Sequence, residues 1–312
     1  MPIRVSINGF GRIGRLVLRA LFESGRTDIE IVAINDLADA ITNAHLLKYD
    51  SVHGRFGGDV KTDGNDLIIN GKRVKGLQVS DPTKLGWGDL KIDVAMECSG
   101  RFTDRKDAEK HLQAGAKKVL ISAPATDEDI TVVYGVNHGD LKASHTVVSN
   151  ASCTTNCLAP VASVLQNVIG IEHGFMTTIH SYTGDQRVVD TMHSDMHRAR
   201  AAAINMIPTS TGAAKAIGKV IPALKGKLDG SSIRVPTPNV SVVDFKFVAK
   251  RGTSVEEINK AIQAASEGQL KGILGVYDEP LVSTDFNHDT RSSIFALKET
   301  KVIDGTFVRI LT

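Results

Sequence analysis

The apolar positions of this chain change period as it proceeds, and the changes mark its elements. IRVSI (residues 3–7) is a short continuous apolar run. NGFGRIG follows it, and RLVLRALFES then carries apolar residues at helical spacing and stops at Gly25. IEIVAIN (29–35) reads as a second buried strand closed by Asp36, and DLIINGKRVKGLQVS (66–80) as a hairpin turning at Asn70-Gly71. IDVAMECSG (92–100) and KVLISAP (118–124) are further buried strands. A helix is predicted between them from about Thr103, with Asp104 and Asp107 in its first turns. HTVVSN (145–150) is the last strand of this half. Strands alternating with helices predict a Rossmann-type, doubly wound, mostly parallel sheet.

The pattern differs after residue 150. Leu158, Val161, Val164, Leu165 and Val168 recur at helical spacing, with Pro160 inside the pattern, where a kink is expected. IEHGFMTTIHSYT (171–183) is largely a strand, residues 184–205 are polar without a clear period, and a helical run follows Thr211-Gly212. Along SVVDFKFVAK, Val243, Phe245 and Phe247 share one face while Asp244 and Lys246 share the other. A helix over 254–266 and the strands RSSIFAL and TFVRIL complete the pattern. The expectation is an α+β half with a mixed sheet covered by helices on one side. The domains are then 1–150 and 151–312.

Composition narrows the class. The 312 residues are 42% hydrophobic and 23% charged, enough for two ordinary domains. With 37 basic against 35 acidic residues the net charge is +2, so no global field favours nucleic acid or a membrane surface. Cys98, Cys153 and Cys157 do not form a disulfide framework, and no metal site is expected. No signal-peptide pattern and no apolar run of the roughly 20 residues needed to span a bilayer is present. These features point to a cytoplasmic protein with no nucleic-acid or membrane partner.

Gly9, Gly11 and Gly14 form GxGxxG after a strand and at the opening of a helix, and the next strand ends in an acid. In that context each glycine has a task. Gly9 allows the tight turn, Gly11 lets backbone approach a pyrophosphate, and Gly14 lets helix and strand pack closely. The amides of Arg12 and Ile13 face the diphosphate at the positive helix end. Asp36 can accept from ribose hydroxyls and would repel a 2′-phosphate, favouring NAD over NADP; a turn residue or N-cap is its plainer reading. Ser122 lies at a strand's C-terminal end, where ligands bind in such sheets.

SNASCTTNCLAP (149–160) places Cys153 at the start of a helix, behind Ser152 as N-cap. There the macrodipole favours a thiolate. His180, near the end of the following strand, is a candidate base, or a structural histidine. Thr211 and Gly212 open a helix whose first amides can hold an anion, or Thr211 is simply a cap. Arg234 stands in extended backbone before Pro236 and Pro238, and by pattern alone fits an outward-facing position. Cys157, one turn after Cys153, reads as small core filler.

The motifs GFGRIG, SNASCTTNC, HSYT, RARAAA, PTSTGAAK and RVPTPNVSVVDF together resemble the phosphorylating glyceraldehyde-3-phosphate dehydrogenases over the whole chain. The resemblance implies an NAD-dependent oxidation of glyceraldehyde 3-phosphate to 1,3-bisphosphoglycerate, with inorganic phosphate, by a homotetramer. It implies Cys153 as nucleophile and His180 as its partner. It also implies Arg12, Ile13 and Ser122 beside the cofactor, and Thr183 and Arg234 on the substrate phosphate. Ser152, Thr154, Arg198, Thr211 and Gly212 would surround the attacking phosphate. Thr191-Met192 replaces a Leu-Pro pair that helps set NAD preference in the family, and Ser80 stands where the family often has arginine. The nearest rival is erythrose-4-phosphate dehydrogenase, whose second anion segment differs from PTSTGAAK; a non-catalytic nucleotide-binding or adhesive protein is another. Family members continue about twenty residues beyond TFVRIL, so a longer natural chain is expected.

Overall fold

In the computed structural model, which describes residues 1–312, the strand Ile3–Asn8 lies between Ile29–Asn35 and Val94–Glu97 and runs parallel to both. Lys118–Ile121, Val147–Ser149 and Ile130–Thr131 extend the sheet in parallel on one side, and Lys72–Leu77 joins Ile29–Asn35 on the other. Two short antiparallel strands, Asp66–Ile69 and Val60–Asp63, finish the far edge. Asn70 and Gly71 both have positive φ, 50° and 78°, the conformation that a two-residue hairpin turn needs. The central strand is buried on both faces. Val5 and Ile7 sit in the core, yet Ser6 and Asn8 are only 0% and 3% exposed. That explains why IRVSI shows no clean alternation.

One buried polar chain ties the ends of these strands together. The carboxylate of Glu97, fully buried, accepts from Asn8 Nδ2 at 2.6 Å, from His111 Nε2 at 3.0 Å and from the Ser99 amide at 2.7 Å. Trp87 Nε1 donates to His111 Nδ1 at 3.0 Å, which leaves the histidine proton on Nε2, facing Glu97. Asn35 Nδ2 continues the chain to Asn8 Oδ1 at 2.7 Å. A polar group so deep persists only when it is hydrogen-bonded.

Contact density divides the chain into two units, Met1–Val132 with Leu141–Ala151, and Val133–Asp140 with Ser152–Thr312. The second is built on a six-stranded mixed sheet in the order Ile207–Ser210, Leu228–Val235, Ile171–Ser181, Val242–Ala249, Phe307–Leu311, Lys301–Ile303. Ile171–Ser181 and Leu228–Val235 run parallel, and the other neighbours antiparallel. Val243, Phe245, Phe247 and Ala249 line the covered face, while Phe175 and Phe307 stand exposed. The helix Cys153–Val168 packs on the sheet as one element that includes Pro160.

One expectation is corrected here. RSSIFAL does not complete the main sheet. Its residues Ser293–Ala296 pair in parallel with Leu274–Tyr277 in a separate two-stranded ribbon that packs against the Cys153 helix and the helix Val255–Glu267. Leu274, Phe295 and Ala296 are buried there, so apolar content alone could not assign the strand to a sheet. TFVRIL does join the main sheet.

Candidate active site

The sheet of the first unit ends in a cradle suited to a dinucleotide. Gly9 has φ +89°, and a Cβ there would meet the Ser99 amide nitrogen at 2.5 Å. A Cβ on Gly14 would meet the Gly9 carbonyl oxygen at 2.3 Å and Ile7 Cγ2 at 2.9 Å. At Gly11 a Cβ would meet nothing within 4 Å, so the approach to the helix start is open. Gly11 caps the helix Arg12–Glu23 without any side-chain bond, which leaves the first-turn amides for an anion. Arg12 is drawn toward Asp50, 3.4 Å away, and Ile13 is half exposed.

Asp36 lies beside this loop. Its Oδ2 accepts from the Phe10 amide at 2.7 Å and its Oδ1 from Ala38 at 2.9 Å. The turn reading of Asp36 therefore holds locally, and the bond to Phe10 also fixes the acid against the glycine turn. Ser122 follows the strand Lys118–Ile121 and bonds through its amide to the Glu97 carbonyl at 3.0 Å. The residues present fit NAD: open backbone at the helix start and an acid for ribose hydroxyls.

The second unit holds the thiol. Ser152 caps the Cys153 helix, its Oγ accepting from the Thr155 amide at 3.1 Å and lying 2.7 Å from Thr155 Oγ1. Just before it, Ala151 has φ +59°, a left-handed conformation costly for a residue with a Cβ, as found at functional turns. Cys153 is exposed, and its Sγ lies 3.2 Å from His180 Nε2. His180 Nδ1 is 2.7 Å from the Ser181 carbonyl oxygen. Nδ1 is thus held at the back of the ring, and Nε2 faces the thiol. Burial, with Arg234 adding to it, lowers the pKa of His180 against the pull of the Ser181 carbonyl.

Arg234 is not an outward-facing strand residue. Register places it opposite His180 on the parallel neighbour, and its Nη1 donates to the Ser181 carbonyl at 2.8 Å and lies 2.8 Å from His180 Nδ1. Its Nε is buried and has no partner in the protein, so part of the guanidinium fork remains to be satisfied. Cys153, Arg198 and Asp185 are all near enough to act on Arg234 electrostatically.

The other anion candidates sit at turns. Thr183 bonds through its amide and hydroxyl to Gln186 Oε1 at 2.9 and 3.1 Å. Thr154 is buried in the first turn of the Cys153 helix. Thr211 Oγ1 accepts from the Ala213 amide at 3.2 Å, and Gly212 caps the helix Ala213–Val220 with no side-chain bond. The capping reading of Thr211 thus coexists with free amides at the helix start. Arg198 donates to Asp185 and Thr209.

Asp185, Thr209, Gln186 and the Ser181 carbonyl are contacts that reading the chain did not single out. Asp185 and Gln186 fall in the aperiodic 184–205 segment, Thr209 lies on the short strand Ile207–Ser210, and the Ser181 contact is backbone, so no local pattern marks them. Glu97 did leave a signal, a carboxylate inside the apolar run VAMEC. No group of three or more His, Cys, Asp or Glu side chains could hold a metal ion. No helix is long and apolar enough to cross a membrane.

Comparison with known proteins places these features in a family. Residues 3–105 match "Glyceraldehyde 3-phosphate dehydrogenase, NAD binding domain", and residues 152–312 match "Glyceraldehyde 3-phosphate dehydrogenase, C-terminal domain". The chain is 64% identical over 312 residues to glyceraldehyde-3-phosphate dehydrogenase of Xanthobacter flavus, covering all of this chain and 93% of that protein. It is 64% identical over 313 residues to the enzyme of the same name from Cereibacter sphaeroides, with the same coverages. To that of Geobacillus stearothermophilus it is 57% identical over 314 residues, again with 100% and 93% covered. A thiol paired with a histidine, a dinucleotide cradle and these full-length matches agree: the chain belongs to the glyceraldehyde-3-phosphate dehydrogenase family.

Proposed function

We propose that this chain oxidises glyceraldehyde 3-phosphate to 1,3-bisphosphoglycerate with NAD and inorganic phosphate, and that Cys153 carries the acyl group between the two half-reactions. The observation that carries this is an exposed Cys153 Sγ 3.2 Å from the Nε2 of a buried His180. Cys153, as thiolate, attacks the aldehyde carbon. His180 takes the proton from sulfur, returns it to the alkoxide oxygen as the thiohemiacetal forms, and takes it again as base when the aldehydic hydrogen leaves. NAD, when bound, accepts that hydrogen as hydride; Gly9, Gly11, Arg12, Ile13, Gly14, Asp36 and Ser122 would hold it. The Cys153 amide, in the first turn of its helix, is a donor for the developing oxyanion. Phosphate then attacks the thioester carbon, and Cys153 leaves as thiolate.

Two phosphates must be bound, and two arginines serve them. Arg234, with Thr183, holds the substrate's phosphate. Arg198, with Ser152, Thr154, Thr211 and Gly212, holds the attacking one. A guanidinium fork suits both, because it pairs two phosphate oxygens. Erythrose 4-phosphate as substrate is not favoured, since the relatives carry the triose name. We further propose a cytoplasmic homotetramer. Val188, Val189, Met192, Met196, Ile204 and Met206 stand exposed on the 184–206 segment, the kind of apolar surface that a partner subunit covers. Light scattering should return four times the mass of one chain.

The direct test is NADH absorbance on mixing protein, NAD, glyceraldehyde 3-phosphate and phosphate. Arg234→Leu should damage turnover of glyceraldehyde 3-phosphate far more than that of unphosphorylated glyceraldehyde. Equal losses on both substrates would count against a phosphate-binding role for Arg234.

A further inference from the structure

The segment that carries Arg198 also carries a closed ring of polar contacts that the reaction scheme leaves unused. Arg198 Nη1 donates to Asp185 Oδ2 at 2.8 Å, and its Nε and Nη2 both donate to Thr209 Oγ1, at 2.8 and 2.6 Å. Asp195 brings a second carboxylate to 3.3 Å from Nε. The Asp195 amide donates to His193 Nδ1 at 2.9 Å, so Nδ1 accepts and Nε2 is the ring's donor. That Nε2 lies 3.4 Å from Asp185 Oδ1, and the His193 side chain is only 11% exposed. Burial works to raise the pKa of Asp185, but His193 and Arg198 outweigh it, so the carboxylate is held in its charged form.

Arg198 lies outside any helix or strand, where its long side chain has the most freedom to lose. The ring removes that freedom before a ligand arrives. Thr209, on the strand Ile207–Ser210, anchors the guanidinium to the sheet, and Asp185 fixes its angle. These bonds use three of the five guanidinium N–H groups and leave two for an anion. A carboxylate beside an anion site costs attraction, and its presence makes sense when orientation matters more than charge.

We propose that His193 and Asp185 are a positioning pair that presents Arg198 to the attacking inorganic phosphate. The second half-reaction then depends on both, and the first does not depend on His193. This rests on the reading of Arg198 as a ligand of the attacking phosphate. The test is kinetic and uses the full chain with NAD and glyceraldehyde 3-phosphate. The NADH burst without phosphate reports formation of the thioester, and the steady-state KM for phosphate reports its use. His193→Ala and Asp185→Ala should each raise that KM about tenfold, as loss of an outer-sphere partner commonly does, and His193→Ala should leave burst rate and amplitude unchanged. His193→Gln, which still offers an N–H toward Asp185, should recover most of the loss. A phosphate KM that stays constant or falls would overturn the proposal, and so would a burst slowed by the same factor. If His193→Ala shows no burst because it fails to fold, Asp185→Asn decides by the same phosphate KM criterion. Arg198→Leu separates the two claims. Should it leave the phosphate KM unchanged, the assignment of Arg198 itself fails. Should it raise that KM while the His193 and Asp185 variants do not, only the positioning pair fails.

Discussion

Three cysteines with one chemical formula end in different environments, and their surroundings sort their reactivity. Burial pushes the thiols of Cys98 and Cys157 up to about 11, whereas Cys153 is exposed at a helix start. Iodoacetamide at neutral pH should therefore modify Cys153 first, with activity lost in step; peptide mapping that finds Cys98 or Cys157 modified first would contradict this. His180 makes a pH prediction. Its native pKa lies below the unfolded value of about 6.5, so the unfolded chain takes up the proton more readily. Stability should fall as pH drops through that value and then level off below the native pKa. Thermal melts of His180→Asn should show a smaller loss over the same acid range. Asp36→Gly should weaken NAD and improve NADP relative to it; an unchanged ratio of kcat/KM would place cofactor choice elsewhere, with Thr191-Met192 the next residues to vary. At this scale local backbone was legible where chemistry and pattern coincide, as at the Gly9 turn and the Ser152-capped helix start at Cys153. Arg234 was not. Its alternation with Ile233 and Val235 fits a strand surface, and only pairing with a strand 54 positions earlier sets it beside His180.

At the scale of elements, periodicity carried well. The hairpin at Asn70-Gly71, the helix from Asp104 and the alternating strand through Phe245 lie where their patterns put them. What periodicity could not give was partnership. Ser293–Ala296 reads like any buried strand, and its place in a separate ribbon depends on Leu274–Tyr277, a segment whose apolar residues carry no register of their own. The close approach of the first helix and strand, by contrast, is written in one residue. Gly14→Ala would drive a Cβ to within 2.3 Å of the Gly9 carbonyl oxygen. Overpacking of this kind should cost about 2 kcal/mol and weaken NAD binding by shifting the glycine turn. Denaturant unfolding and NAD titration check the two effects, and a variant equal to wild type in both would contradict the packing role of Gly14.

For the whole molecule, the division of labour follows from the two sheets. The parallel sheet ends in backbone amides and an acid, which suit a dinucleotide. The mixed sheet carries His180 and Arg234 side by side on neighbouring strands, facing the helix that begins at Cys153. The central claim is that oxidation passes through a thioester on Cys153. Mixing the protein with NAD and glyceraldehyde 3-phosphate in the absence of phosphate, then quenching in acid for mass spectrometry, tests it most directly. The account predicts a burst of NADH and a matching 3-phosphoglyceroyl adduct on the peptide containing Cys153, discharged when phosphate is added and absent from Cys153→Ser. NADH formed without that adduct, or the adduct on another residue, would contradict it.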